Sequence, residues 1–203
     1  MKNKKKLIIL VIFIIIVIAI FFMILKNNTA KNLKIGNNTT SQEIVNYILN
    51  ITSYESKVEV NVKSNKNENK YIMYQKYNGP EDNMQEVIEP TNIAGVKIIK
   101  NGKNLKIENA NFNLSSMFEN YEYISDNDLD LSSFIEDYRE NEKSEFKEEN
   151  NKIIMKTIKE KNQKKYKILY INKETGMPEK MEVQDTNKNI AVYILYNEVK
   201  VNS

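Results

Sequence analysis

The sequence predicts an α+β domain, a curved antiparallel β-sheet or half-open β-barrel with short helices on its concave face, preceded by one transmembrane helix. Three observations predict it. Stretches in which apolar and polar residues alternate recur between Val58 and residue 200, the pattern of half-buried strands. Asn, Gly and Pro punctuate those stretches where an antiparallel sheet needs turns. Ahead of them, every residue from Leu7 to Leu25 is apolar, 19 in succession.

A helix over that run would be roughly 28 Å long, close to the thickness of a bilayer core. A cleaved signal peptide has a shorter apolar core ending in small residues, whereas this run ends in bulky ones, Ile20-Phe21-Phe22-Met23-Ile24-Leu25. The expectation is an uncleaved anchor. Lys2, Lys4, Lys5 and Lys6 precede it, and the positive-inside rule puts such a cluster in the cytoplasm. The remainder is then expected outside the cytoplasmic membrane. The expected organisation is 1–26 as Lys cluster and anchor, 27–39 as a polar flexible spacer, and 40–203 as the extracytoplasmic domain.

Within the domain, Thr40 and Glu43 form a capping box ahead of Ile44, Val45, Ile48 and Ile51, which share one helical face. Val58, Val60 and Val62 then alternate with polar residues, and strands follow at 70–77 and 83–89. Asn101-Gly102 is a preferred two-residue hairpin turn and would pair Ile98 with Leu105 and Val96 with Ile107. Two short helices are expected next, one capped by Asn113 and carrying Leu114, Met117 and Phe118, the other capped by Asp130 and carrying Phe134, Ile135 and Tyr138. Alternation returns at 144–149, 151–159, 163–171, 178–185 and 189–200. About eight to nine strands are expected in all.

Composition narrows the chemistry. With no Cys and no His among 203 residues, thiol nucleophiles, imidazole bases, the usual zinc sites and disulfides are excluded. The acidic pairs Glu136/Asp137 and Glu148/Glu149 are adjacent in sequence and so do not share a face of a helix or strand, as paired carboxylate catalysis would require. The expectation is a protein that is not an enzyme and uses no cofactor. The net charge of +3 comes from the anchor's lysines, and the remaining 177 residues carry 25 basic and 27 acidic side chains. That balance is not the concentrated basic face that nucleic acid requires, so no nucleic-acid partner is expected. Acid-rich 136–149 and Lys-rich 156–167 read either as interaction patches or as neighbouring strands exchanging opposite charges.

The ending KETGMPEKMEVQDTNKNIAVYILYNEVKVN carries a Thr-Gly-x-Pro turn, a strand, a short turn and a last strand ending in Asn. Through Thr175, Gly176, Pro178, Met181, Val183, Tyr193, Val199 and Asn202, and through the order of elements, the chain resembles the LolA-like lipoprotein-carrier superfamily. It is most similar there to the clostridial germination protein GerS and its relatives. That resemblance implies a non-enzymatic partner of the spore-cortex amidase CwlD, needed for muramic-lactam formation during sporulation. Lipoprotein members carry a lipidated Cys, which this chain lacks, so the anchor would take the lipid's place.

The resemblance also implies a possible lipid ligand in a half-barrel cavity, with Met73, Ile98, Met117, Phe118, Phe134 and Ile135 as candidate liners. The same residues equally read as plain core. Tyr121 and Tyr123, among 12 Tyr and no Trp, are candidates for a contact surface because Tyr combines a large rigid ring with one hydroxyl. Ordinary placement on a sheet face accounts for them as well. Exposed sheet edges are a further route to a partner or to a homodimer.

Overall fold

The computed structural model describes residues 39–64, 67–79, 82–121, 128–159 and 164–202. The run Leu7–Leu25, the spacer up to residue 38 and Tyr123 lie outside the described residues. Among the described residues no helix is long and apolar enough to cross a membrane.

Eleven strands among the described residues form one antiparallel sheet. They are β1 (Ser53–Lys63), β2 (Glu68–Tyr77), β3 (Asp82–Glu89), β4 (Val96–Asn101), β5 (Asn104–Asn109), β6 (Leu114–Phe118), β7 (Glu145–Glu149), β8 (Lys152–Lys159), β9 (Lys165–Asn172), β10 (Pro178–Gln184) and β11 (Ile190–Asn202). Their order is β6-β5-β4-β3-β2-β1-β11-β10-β9-β8-β7. Two meanders thus meet where the first strand pairs with the last, and Val58, Val60 and Val62 stand opposite Tyr196, Ile194 and Val192. β6 and β7 are the edges of an open sheet, so the sheet does not close as a barrel.

Two α-helices are described, α1 (Ser41–Leu49) and α2 (Leu131–Glu140). The capping box starts α1 as its sequence predicts: Thr40 Oγ1 accepts from Glu43 N, and Glu43 Oε2 accepts from Thr40 N at 2.8 Å. Ile44, Val45 and Ile48 of α1 and Leu131, Phe134 and Ile135 of α2 are buried in the same core as Val58, Val60, Met155, Leu169, Met181 and Ile194. Both helices pack over β8, on that face of the sheet. At the C-terminal end, Met181 pairs with Ile194 and Val183 with Val192. The Thr-Gly-x-Pro turn is held by Asn172, whose side-chain oxygen accepts from Glu174 N and Thr175 N, with Gly176 at φ 67°.

Two local expectations are corrected. The hairpin turns at Gly102-Lys103, so Ile98 faces Ile107 and Lys100 faces Leu105. Only Gly102 has positive φ in this turn (56°), which suits a turn with glycine at the first central position and moves the register by two residues without changing faces. The second correction is larger. Residues 114–118, expected as a helix, are strand β6, paired with β5 from Asn109↔Leu114 to Leu105↔Phe118. Asn109, not Asn113, accepts the capping bond, from Asn111 N, and the turn it caps is a 3-10 turn of three residues, Ala110–Phe112. Asn113 then takes a left-handed conformation (φ 53°), ending the turn and aiming the chain back along β5. With β6 as one addition, the strands among the described residues number eleven where eight to nine were expected.

Candidate functional site

The two edges of the sheet differ in chemistry. β7 reads EFKEE, with four charged residues in five; Glu148 is held by Ser41 and Lys173, and Glu149 by Lys147. Charges of this kind discourage pairing with another strand. β6 reads LSSMF, without a charge. All five residues are exposed, Leu114 at 64 %, Met117 at 62 % and Phe118 at 44 %, and Phe112 just before them is 60 % exposed. Register places Leu114 and Phe118 on the helix-bearing face and Met117 on the opposite one.

Beside this edge lies a cavity of about 400 Å³, between strands β2–β5 and the start of α2. Met73, Ile98, Leu105, Ile107 and Leu129 supply apolar wall, and Gln85, Asp130, Lys100 and Lys103 supply polar groups. Tyr121 also lines it, with its ring 5.9 Å from that of Phe118, and its backbone N donates to Lys103 O at 2.7 Å. Edge and cavity are therefore continuous through Phe118, Tyr121 and Leu105.

Deeper in, the polar groups are held rather than offered. Asp130 is buried and accepts from Gln85 Nε2; burial pushes its carboxyl up to about 6 against the pull of Gln85 and of Lys100 and Lys167. Burial likewise pushes the hydroxyls of Tyr54 and Tyr196 up, with the Asp130 charge adding to it. Lys167, fully buried, is paired with Asp137 at 2.6 Å and Asp128 at 3.2 Å, and donates to Ser133 Oγ at 2.9 Å. Burial raises Asp128, but Lys165 and Lys167 outweigh it and hold that carboxyl below its usual value. This network fastens α2 and the residues before it to β9. It also answers the charge-run question in part, since Asp137 from the acidic stretch meets Lys167 of the Lys-rich one across elements.

The predicted site residues separate. Phe118 and Tyr121 come together at the β6 edge, with Met117 on the opposite face of that strand, while Phe134 and Ile135 are core, 0 % and 5 % exposed, and unavailable to a ligand. Met73 and Ile98 do line the cavity, whereas Met117 is turned away from it on a strand. The sequence reads Leu114 and Asp130 only as a helix-face residue and a helix cap, and does not single out Phe112, Gln85 or Lys167. Gln75, Gln85 and Lys167 each occupy an inward position of an alternating strand, next to Met73, Val87 and Leu169 in their own strands, and a polar residue there is the signal of a buried network. Glu136 lines the cavity while Asp137 is bound to Lys167, so that pair does not converge on one point. Among the described residues no group of three or more Asp or Glu is placed to hold a metal ion.

A model of the sporulation protein YdcC-like family matches residues 3–203. Among solved structures, the chain is similar to the GerS lipoprotein in the structure of the CwlD amidase from Clostridioides difficile in complex with GerS. The identity is 26 % and the TM-score 0.50, with 80 % of this chain and 96 % of that chain covered. It is also similar to an uncharacterized conserved protein from Thermus thermophilus (11 % identity, TM-score 0.49, 80 % and 88 % covered) and to the LolA superfamily protein NE2245 from Nitrosomonas europaea (13 %, 0.44, 81 % and 94 %). No curated protein sequence matches the chain. The resemblance to GerS read from the C-terminal strands extends over 80 % of the chain, and with a family match running almost from end to end, the chain belongs to the sporulation protein YdcC-like family.

Proposed function

We propose that this protein is a non-catalytic binding module, tethered outside the cytoplasmic membrane, that binds and supports a spore-cortex amidase during sporulation. The observation that carries it is the β6 edge, which is exposed, apolar and uncharged in a sheet whose other edge is guarded by charge. Membership of a sporulation family supports the setting, and similarity to GerS, which is found in complex with the CwlD amidase, supports the partner. The tether rests on the apolar run Leu7–Leu25 behind its lysines. Deleting the gene tests the proposal. The expected result is spore cortex without muramic lactam, restored by the intact chain; cortex muropeptides unchanged by the deletion would contradict it.

The cavity favours a second reading, a lipid held in place, because its volume and mixed lining lie in the range of small-molecule sites. Mass spectrometry of the chain purified in mild detergent separates the two. A stoichiometric co-purifying lipid without an amidase partner would favour the second.

A further inference from the structure

We infer that Asn101, at the tip of the β4–β5 hairpin, is a site of spontaneous deamidation, and that its conversion to aspartate or isoaspartate loosens the adjoining wall of the cavity. Asn-Gly steps occur twice in the chain, at Asn78-Gly79 and Asn101-Gly102. Glycine has no Cβ to shield its backbone nitrogen, so in such a step that nitrogen is open to the neighbouring side-chain amide. Both asparagines are exposed, and a Cβ placed on either glycine would meet nothing within 4 Å, so neither turn is closed to water. Hydrogen bonding separates them. Asn78 donates from Nδ2 to Asp82 Oδ2 at 3.1 Å and from its backbone N to Asp82 O at 2.8 Å, while Gly79 O accepts from Asp82 N. The Asn101 side chain has no hydrogen-bond partner among the described residues. Gly102 lies beyond the ladder, whose last pair is Asn101↔Asn104, so its nitrogen has no strand opposite.

The reaction needs only water and base. The Gly102 nitrogen, its proton taken by hydroxide, attacks Asn101 Cγ and forms the new N–C bond of a cyclic imide. The Cγ–Nδ2 bond breaks, and Nδ2 leaves as ammonia with a proton from water. Water then opens the imide at either carbonyl, giving aspartate when Cγ is released and isoaspartate when the backbone carbonyl is. Each product disturbs the hairpin in its own way. Asn101 stands opposite Asp82 of β3, so an aspartate there sets two carboxylates directly across the ladder, which is destabilising. Isoaspartate adds a carbon to the main chain beside the turn that fixes Ile98 opposite Ile107 and Lys100 opposite Leu105. All four of these residues line the cavity.

The test holds the full chain, in detergent micelles, in mildly alkaline buffer and follows both Asn-Gly steps by peptide mass spectrometry, which reads the exchange of NH2 for OH. Because the Asn78 amide must first give up a hydrogen bond, Asn101 is expected to react about tenfold faster. Asp82→Ala, at an exposed position, releases the Asn78 amide and is expected to speed reaction there by about tenfold. Asn101→Gln, whose longer side chain closes such a ring far more slowly, is expected to silence the site. Deuterium exchange of residues 104–109 is expected to be a few-fold faster in Asn101→Asp than in the wild type. Asn78 reacting as fast as Asn101 in the wild-type chain overturns the assignment, as does a folded chain still unmodified at 101 when a denatured control has reacted fully. An Asn78 rate unchanged by Asp82→Ala overturns the hydrogen bond as the cause, and unchanged exchange in Asn101→Asp overturns the loosening.

Discussion

Asp130 shows what the polar interior costs. It is buried beneath the start of α2, caps no backbone N–H with its side chain, and is bound by Gln85. In the folded protein its carboxyl titrates at about 6, against about 4 in the unfolded chain. Between those values the native state holds a proton that the unfolded state has lost. The penalty is therefore absent below about pH 4, grows as pH rises, and is complete above about pH 6, where it amounts to something on the order of 3 kcal/mol. Asp130→Asn keeps an acceptor for Gln85 and removes the charge. It is expected to raise the melting temperature by several degrees at about pH 7.5, at about 2–4 °C per kcal/mol for a chain of this size, with no gain near pH 4. Thermal melts at the two pH values check this, and an equal shift at both would contradict it.

At the scale of elements, α1 and β6 mark how far local chemistry reaches. The start of α1 was legible because Thr40 and Glu43 satisfy two backbone donors by themselves, with no help from the fold. Thr40→Ala is accordingly expected to cost about 1 kcal/mol, read as a lower denaturation midpoint with an unchanged slope. Most strands were legible for a similar reason, since burial on one face forces alternation. β6 was not. The apolar spacing of FNLSSMF is short enough to fit a helix turn or a strand, and what decides it is the pairing with Leu105–Asn109 together with the left-handed Asn113. The hairpin register failed by two residues because Gly102 serves as the first turn residue, a choice that leaves the apolar face intact and so leaves no trace in the pattern. At the site, the sequence reads Met117 and Phe118 as cavity liners on a helix, whereas both are exposed on strand β6, and only Tyr121 of the three lines the cavity. Phe134 and Ile135 were not separable from them by sequence, since a core helix face and a binding helix face have the same spacing.

At the scale of the whole domain, the described residues form two meanders locked at β1 and β11, with helices over one face and, among those residues, no strand paired beyond β6. The buried Lys167 on β9 pairs with Asp137 of α2 and with Asp128 ahead of it, which holds that helix against the sheet. The proposed anchor would add a fixed place, and a spanning helix would argue against a carrier that must diffuse between membranes. The central claim is that this chain binds a spore-cortex amidase directly, and isothermal titration of the purified full chain with the purified amidase in the same micelles tests it most directly. A saturable one-to-one complex is expected; no measurable binding at concentrations on the order of tens of micromolar, with both proteins folded, would contradict it.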